Sequence, residues 1–461
     1  MRCDFSMGNT RMKLVAGAVL MCLASAASAA TTLVGGGATL PAIGYTGTAA
    51  AANTPIIPGA GSLLGVYSSA TGGAGNPTSY CTTGSGAGKK ILAENDNTHF
   101  DVNGTCASTT VPVPQPVGFG GVGLARPHFA ASDAPISSSE FNAYVAGHGA
   151  GTQPVQLPAI AGAISIVFHK TGVNTLSLNE TQICGIFSGQ IKTWNSPALA
   201  GAGIPTGTTG DIKVVFRSDG SGTSFAFLNH LSAVCPSNVD ATNGVNATQF
   251  KTNQVYSGLD ALGNPTGASA YVGSYAAGST GANGNKGITD TVNLLDGSIG
   301  YAEAANGVTA PARFASVKNS HGGTAVNPST GFGPTALAVN LVYNNAISDS
   351  VTSTGRPILA PLSGVTGQCL AVVNPQDYAD PTSGYPILAV TYLLANAQGN
   401  GADAAGVRGL LFSPYNQATR SMVTKIGRIT TGYSWLSNAT LDGKDANGNQ
   451  TFPAQIAACV N

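Results

Sequence analysis

The sequence predicts an α/β fold in which short buried strands alternate with helices. The apolar run 212–216 leads through a glycine turn into a helical pattern over 222–234. The apolar run 162–170 is likewise followed by a helical pattern over 179–194. Short apolar runs bounded by turn residues are typical of buried strands, and a 3.6-residue apolar period is typical of helices. Their alternation along the chain indicates an α/β architecture.

Shorter patterns predict the remaining elements. A strand is expected within 31–41, with a helix starting near Pro41, because proline suits the first helical turn. Two further strands are expected, at 296–303 and 384–395. Two C-terminal helices are expected, at 407–415 and 418–426. Segments dominated by small and polar residues are expected to be loops, at 45–90, 260–287 and 438–450.

The first 29 residues are expected to be a cleaved secretory signal peptide. Arg2, Arg11 and Lys13 precede the apolar run 14–24, and the small residues at 27–29 fit a cleavage site. This run is too short to span a bilayer, and no later stretch reaches about 18 uninterrupted apolar residues. We therefore expect a periplasmic or secreted chain with no membrane span in its mature part.

The charge composition argues against nucleic acid as a partner. Charged residues make up only 9% of the chain, against roughly 25% in ordinary globular proteins. Without residues 1–29 the chain holds 17 basic and 19 acidic residues, a formal charge of −2, and it has no basic run. An anion site in this protein must therefore depend on local donors.

The cysteines predict disulfides. Six remain after residue 29, and an even number in an exported protein favours disulfide pairing, although the sequence leaves the connectivity open. Pairing of sequence neighbours is our expectation: Cys81 with Cys106, Cys184 with Cys235, and Cys369 with Cys459. A metal site is the less favoured alternative, because there is no Cys-x-x-Cys and the histidines lack ligand spacing. No cofactor is expected.

The octapeptide 217–224, Arg-Ser-Asp-Gly-Ser-Gly-Thr-Ser, carries the functional prediction. It joins a predicted strand to a predicted helix, whose first N–H groups lack internal acceptors and carry partial positive charge. Gly222 permits close approach of a ligand, Ser221 and Thr223 supply hydroxyls, and Arg217 supplies a charged fork of donors. The pattern predicts a cradle for a phosphate-like anion. The alternative is an ordinary glycine turn with a helix cap.

Several segments, taken together, resemble one family. Four collinear segments resemble the signature segments of ABC-transporter periplasmic phosphate-binding proteins: 35–41, 131–135, 217–223 and 297–301. Three more resemble the DING branch of secreted phosphate binders: 83–90, 183–194 and 384–388. The chain departs from that branch at 31–34, where its N-terminal tetrapeptide is replaced, and in the loops 45–80 and 260–287.

The resemblance implies an α/β, two-lobed periplasmic-binding-protein (type II) fold with two hinge strands, crossing near 158–168 and 385–394. Lobe one would be 30–160 with 386–461, and lobe two 161–385. Phosphate would bind between the lobes. The implied ligands are Thr39, Leu40, Ser85 and Asp133 from lobe one, and Arg217, Ser221, Gly222 and Thr223 from lobe two. Ser68 and Ser69 are rivals to Ser85.

Two acidic residues need separate interpretation. Asp133 makes sense beside an anion only as an acceptor for a phosphate O–H, which would exclude the unprotonated sulfate. Its alternative role is a turn or helix-capping acid. Asp219 either orients Arg217 or caps the following helix, and we favour the cap.

These features favour a binding protein over an enzyme. The first hypothesis is a monomeric phosphate receptor, which either serves an ABC permease or scavenges phosphate outside the cell. The second is a DING-like secreted phosphomonoesterase, against which stands the lack of a His, Cys or Lys with the cradle motifs as base or nucleophile. A surface or matrix protein that kept the fold is the third, suggested by the low charge and glycine-rich loops.

Overall fold

Most of the chain after residue 30 is described by the structure, a computed structural model, and the predicted signal peptide lies outside that part. The described residues are 31–69, 75–95, 106, 126–259, 263–307, 309–330, 336–428, 431–444, 446–448 and 450–461. None of the helices in these ranges combines the length and the apolar character that a bilayer span requires.

The helices of the described residues are α1 (Ala42–Thr46), α2 (Leu63–Ser68), α3 (Ser85–Glu94), α4 (Ser138–His148), α5 (Glu180–Phe187), α6 (Gly222–Val234), α7 (Ser269–Val272), α8 (Gly284–Leu294), α9 (Ala404–Phe412), α10 (Gln417–Met422) and α11 (Phe452–Cys459). The strands are β1 (Leu33–Gly37), β2 (Pro55–Ile56), β3 (Thr78–Cys81), β4 (Phe129–Ser132), β5 (Pro154–His169), β6 (Ser177–Asn179), β7 (Lys213–Arg217), β8 (Ser257–Leu259), β9 (Pro265–Gly267), β10 (Thr280–Ala282), β11 (Ser298–Glu303), β12 (Arg313–Phe314), β13 (Ser316–Lys318), β14 (Leu337–Ala338), β15 (Leu341–Tyr343), β16 (Asn345–Val351), β17 (Pro357–Pro361), β18 (Ala371–Val373), β19 (Leu388–Asn396) and β20 (Tyr433–Ser437).

The main sheet consists of two parallel groups joined by two antiparallel strands. Its order over the described residues is β10-β7-β11-β5-β19-β4-β1-β3-β2. β7 is parallel to β10 and β11, and β1 is parallel to β3 and β4. β5 and β19 pair antiparallel with each other and with the neighbouring groups. The predicted α/β architecture with two connecting strands is therefore confirmed.

Strand β5 changes partner along its length. Residues 154–163 pair with β19, whereas residues 164–169 pair with β11. The predicted strand 162–170 is thus the second half of a 16-residue strand, of which all but the last residue are buried. Because the two parallel groups lie on opposite sides of this pair and run in opposite directions, the carboxyl ends of both face the region between them.

The loop prediction for 45–90 is wrong. This segment contains α2, β2, β3 and α3, and Leu63, Leu64, Tyr67 and Tyr80 are buried in the core. β3 has no long apolar run, and its strand conformation depends on parallel pairing with β1, in which Val34 lies opposite Ser79. The loop predicted at 260–287 likewise includes β9, α7, β10 and the start of α8. Pairing with distant strands, which a local pattern does not show, decides these elements.

One observed helix is shorter than predicted because a glycine in a left-handed conformation ends it. α6 has the predicted bounds, whereas the helix predicted over 179–194 ends at Phe187. Gly189 then takes a φ of 70°, a left-handed conformation that ends helices. The helices predicted at 407–415 and 418–426 are found at Ala404–Phe412 and Gln417–Met422.

Three disulfides pair the cysteines as sequence neighbours, which confirms the predicted connectivity: Cys81–Cys106, Cys184–Cys235 and Cys369–Cys459. The second joins α5 to the C-terminal end of α6 across 51 residues. The third ties α11 to residue 369, across 90 residues.

We predict that replacing Cys184 and Cys235 together by serine lowers the free energy of unfolding by roughly 2–4 kcal/mol, because the unfolded chain loses a loop constraint. Urea unfolding under non-reducing conditions measures this change. Wild type treated with reductant loses all three disulfides and should therefore be less stable than the double variant. An unchanged unfolding midpoint, or peptide mapping that finds both wild-type thiols free, would contradict the prediction.

Candidate anion-binding site

The eight predicted site residues come together between the two parallel groups of strands. They follow the carboxyl ends of β1, β3, β4 and β7, where α/β proteins place their ligand sites. All eight are buried, and none of the seven that carry side chains is more than 5% exposed. The eight residues form a buried cluster, here called the cleft, whose polar groups are mainly hydroxyls and backbone amides.

Arg217 supplies the full positive charge of the cleft. Its Nε donates to Asp219 Oδ1 at 2.6 Å, its Nη2 donates to Asp219 Oδ2, and its Nη1 donates to Thr223 Oγ1 at 3.3 Å. A guanidinium has five N–H bonds, so one on each terminal nitrogen remains for a ligand. The backbone N–H of Arg217 donates to the Tyr301 hydroxyl at 3.2 Å, which fixes the strand end behind it.

The favoured interpretation of Asp219 as a helix cap is wrong. The cap of α6 is Ser221, whose Oγ accepts the N–H of Ser224 at 3.0 Å. Asp219 instead holds the guanidinium through both carboxylate oxygens and accepts the N–H of Gly284 at 3.2 Å. A planar fork of donors matches a carboxylate better than a lone backbone N–H does, and that geometry decides the role.

The N-terminus of α6 lies against the opposite side of the cleft. A Cβ added to Gly222 would lie 2.5 Å from Ser85 Oγ and 2.7 Å from the backbone nitrogen of Asp133. The glycine is therefore required for this approach. The first N–H groups of α6 have no acceptor within the helix. A ligand oxygen in the cleft can accept them.

Asp133 is a buried carboxyl that makes few hydrogen bonds. Its backbone N–H donates to Ser85 Oγ at 3.0 Å, its Oδ2 lies 3.4 Å from the same hydroxyl, and its Oδ1 has no partner among the described residues. Burial raises the pKa of Asp133 to about 7, partly opposed by Arg217. The cap of α4 is Ser137, in a capping box with Glu140, so Asp133 is not a helix cap.

Thr39 and Leu40 complete the first side of the cleft. Thr39 Oγ1 accepts the side-chain N–H of Asn285 at 3.0 Å, and the Leu40 carbonyl accepts the Tyr433 hydroxyl. The rival serines lie elsewhere: Ser68 Oγ bonds to Leu64 and Thr78, and Ser69 Oγ bonds to Val66. Of the three serines considered, the structure places only Ser85 beside Asp133.

Sequence reasoning missed Asn285. Its Nδ2 contacts Thr39 Oγ1 at 3.0 Å and Thr223 Oγ1 at 3.2 Å, so it links residues of both strand groups. Its Oδ1 accepts the N–H of Glu303 at 3.2 Å. The sequence feature that could have predicted this residue is the order of strand, glycine turn and helix at 280–294, which is the same order as at 213–234.

Sequence reasoning also missed Lys89. It is 3% exposed, and its ammonium group donates to Glu140 at 2.7 Å and to the carbonyl of Pro135 at 3.2 Å. Burial lowers its pKa, and Glu140 opposes that change. In this arrangement Lys89 neutralises Glu140 behind the Asp133 turn. Across the described residues there is no group of three or more His, Cys, Asp or Glu side chains suited to a metal ion.

The chain is similar in sequence to known proteins over most of its length. Residues 26–369 match the family model described as PBP superfamily domain. Alkaline phosphatase L of Pseudomonas aeruginosa is 29% identical over 367 residues, which cover 78% of this chain and 80% of that protein. A phosphate-binding protein from an unknown prokaryotic organism is 28% identical over 355 residues, with coverages of 74% and 81%.

Solved structures also resemble the chain. A high affinity periplasmic phosphate-binding protein (PfluDING), bound with phosphate at pH 8.5, aligns over 94% of this chain and 99% of its own. Its TM-score is 0.56 at 22% identity, so the likeness concerns the fold. The resemblance to phosphate-binding proteins, predicted from sequence segments, is confirmed, and so is the two-lobed α/β fold. The likeness to the DING protein is shown for the fold.

Proposed function

This chain belongs to the PBP superfamily, and from that premise and the donor geometry of the cleft we propose that it captures inorganic phosphate between two lobes. The site residues would be the eight predicted from the sequence, joined by Asn285. We place lobe one at 30–160 with 386–461 and lobe two at 161–385. The protein would act as a monomer in the periplasm or outside the cell, for ABC-type uptake or for scavenging.

The buried carboxyl of Asp133 carries the proposal. It lies across from the N-terminus of α6 and within the field of Arg217. A fully charged anion such as sulfate would be repelled by an ionised Asp133. A phosphate O–H can instead donate to the unpartnered Oδ1. Since an unmet buried polar group costs about 1–3 kcal/mol, the pairing favours an anion that carries a proton.

Isothermal titration with phosphate, sulfate and arsenate tests the proposal. We expect one phosphate per chain, and sulfate weaker by at least about a hundredfold, a difference of about 2.7 kcal/mol. Arsenate carries a comparable proton and should bind far better than sulfate. Sulfate binding as tight as phosphate binding would refute the proton-acceptor role of Asp133.

The alternative is a phosphomonoesterase, since one relative is named an alkaline phosphatase. Two observations favour capture. Gly222 lies so close to Ser85 and Asp133 that a Cβ atom would not fit there, and this close approach favours a small anion over an ester with a bulky organic group. In addition, the described histidines contact groups other than Ser221: His128 with Asp403, His148 with Leu92, His169 with Asp296, His230 with Glu180 and Ala379, and His321 with Asp380.

We predict that purified protein hydrolyses no phosphomonoester at a rate that depends on Ser221. Ser221→Ala should weaken phosphate binding, and it should destabilise the fold by about 1 kcal/mol through loss of the cap. Ser62→Ala, which removes the cap of α2, is the matched control. Hydrolysis of a phosphomonoester that copurifies with wild type and Ser62→Ala but disappears in Ser221→Ala would overturn the proposal in favour of the enzyme.

A further inference from the structure

Glu303 is a buried carboxyl that the proposed ligand set does not use. It is 1% exposed, and neither carboxyl oxygen has a hydrogen-bond partner of ordinary geometry among the described residues. A lone buried carboxylate is costly, and such groups normally gain a partner or become neutral. Its position therefore calls for a chemical explanation.

Glu303 lies at the carboxyl end of β11, in line with the other site residues that follow strand ends. Its backbone N–H donates to the Asn285 side chain, which in turn contacts Thr39 and Thr223. Side chains two apart on a strand share a face, so Glu303 lies on the face of Tyr301, whose hydroxyl contacts Arg217. It therefore belongs to the wall of the same cleft.

Glu303 also lies at the crossing between the two halves. It pairs with Ile164 of β5, the first residue of that strand to pair with β11, and Ile164 directly follows the part of β5 that pairs with β19. Opening of the cleft about these strands would change the exposure of this position more than that of a residue deep in either half. The carboxyl can thus exchange protons with water in an open state.

The charges around Glu303 favour its neutral form in the closed cleft. The titratable and charged groups that it faces are Asp133 after β4, Arg217 at the end of β7 and Tyr433 on β20. Burial raises the pKa of Glu303 well above its usual range and Asp133 raises it further, while Arg217 and the nearby backbone N–H groups of Glu303 and Asn306 lower it. Because Asp219 already engages Arg217, no cation in the described site is left to balance a second carboxylate.

We propose that Glu303 takes up a proton when the cleft closes on phosphate, so that anion capture is coupled to proton uptake at a second carboxyl besides Asp133. The inference rests on the proposed function. Asp133 stays ionised to accept the phosphate O–H, and Glu303 enters the closed cleft as the neutral acid. As the pH rises, Glu303 loses its proton in the open state, and closure of the cleft then requires that Glu303 take up a proton again. Affinity for phosphate falls as a result, by up to about tenfold per pH unit.

Titration calorimetry of phosphate in buffers of different protonation enthalpy, from about pH 7.5 to about pH 9.5, counts the protons taken up. Wild type should take up about one more proton per phosphate than Glu303→Gln, whose amide copies the neutral acid. The amide variant should also bind phosphate more tightly than wild type at the upper pH, whereas a merely structural loss would weaken binding at every pH. Glu180→Gln, which alters another fully buried carboxyl on α5, is the matched control and should keep the wild-type count.

The outcomes are distinct. Equal proton counts in wild type and Glu303→Gln, with both binding phosphate, overturn the inference. Absence of phosphate binding by wild type overturns the proposed function instead. If Glu303→Gln does not fold, Glu303→Met decides by the same proton count, because it removes the titrating carboxyl at similar side-chain length: a loss of about one proton supports Glu303, and no loss removes it from the mechanism.

Discussion

Arg217→Ala should lower phosphate affinity by at least about a hundredfold, because two charge-assisted hydrogen bonds to a buried anion are lost, at about 1.5–3 kcal/mol each. A second effect adds to this loss. Asp219 keeps its carboxylate beside the anion after its guanidinium partner is removed, and a buried charge without a partner is strongly unfavourable. Titration calorimetry with phosphate measures the change.

The hydrogen-bonded pair of Arg217 and Asp219 allows a second test of the same site. Adding Asp219→Asn to Arg217→Ala should recover part of the affinity, since the remaining carboxylate repulsion is removed. Arg408→Ala, which alters an arginine bonded to the carbonyl of Val460 near the C-terminus, serves as the control and should bind like wild type. A single variant that binds phosphate as tightly as wild type would show that the anion is not held at Arg217.

Asp133→Asn should reduce the preference for phosphate over sulfate by about a hundredfold or more. The amide can donate to an unprotonated oxygen, whereas the carboxylate can only accept. The variant therefore accepts the phosphate O–H more weakly, through a neutral oxygen, and loses the charge that repels sulfate. Phosphate binding itself should weaken. Paired titrations with phosphate and sulfate measure both changes, and an unaltered preference would contradict the assigned role.

The same substitution should change the pH dependence of stability. The folded pKa of Asp133, about 7, lies above its ordinary value of 3.8. Its contribution to stability is therefore fully present below the unfolded pKa and is lost as the pH rises through about 7, by at most on the order of 4 kcal/mol. Without phosphate, the Tm of wild type should fall relative to that of Asp133→Asn between about pH 5 and about pH 8. Parallel Tm curves would contradict this expectation.

The sequence by itself determined the features that a few consecutive residues settle. Helix α6 has its predicted bounds because Ser221 satisfies the N–H of Ser224 and a glycine precedes the first turn. The capping box of Ser137 and Glu140 is a feature of the same local kind, since both partners lie within one turn. The eight predicted ligands were likewise assigned from short segments, those that resemble the signature segments of phosphate-binding proteins.

Only the tertiary structure decided which distant groups share an environment. Segment 45–90 forms core strands and helices because β3 pairs with β1. The small residues of this segment do not predict that contact. Asp219 binds Arg217 because the guanidinium is buried and Ser221 already caps the helix. Asn285 and Glu303 join the site from another strand–helix unit. Their roles depend on burial and on neighbours up to 246 residues away, and these are properties of the folded chain.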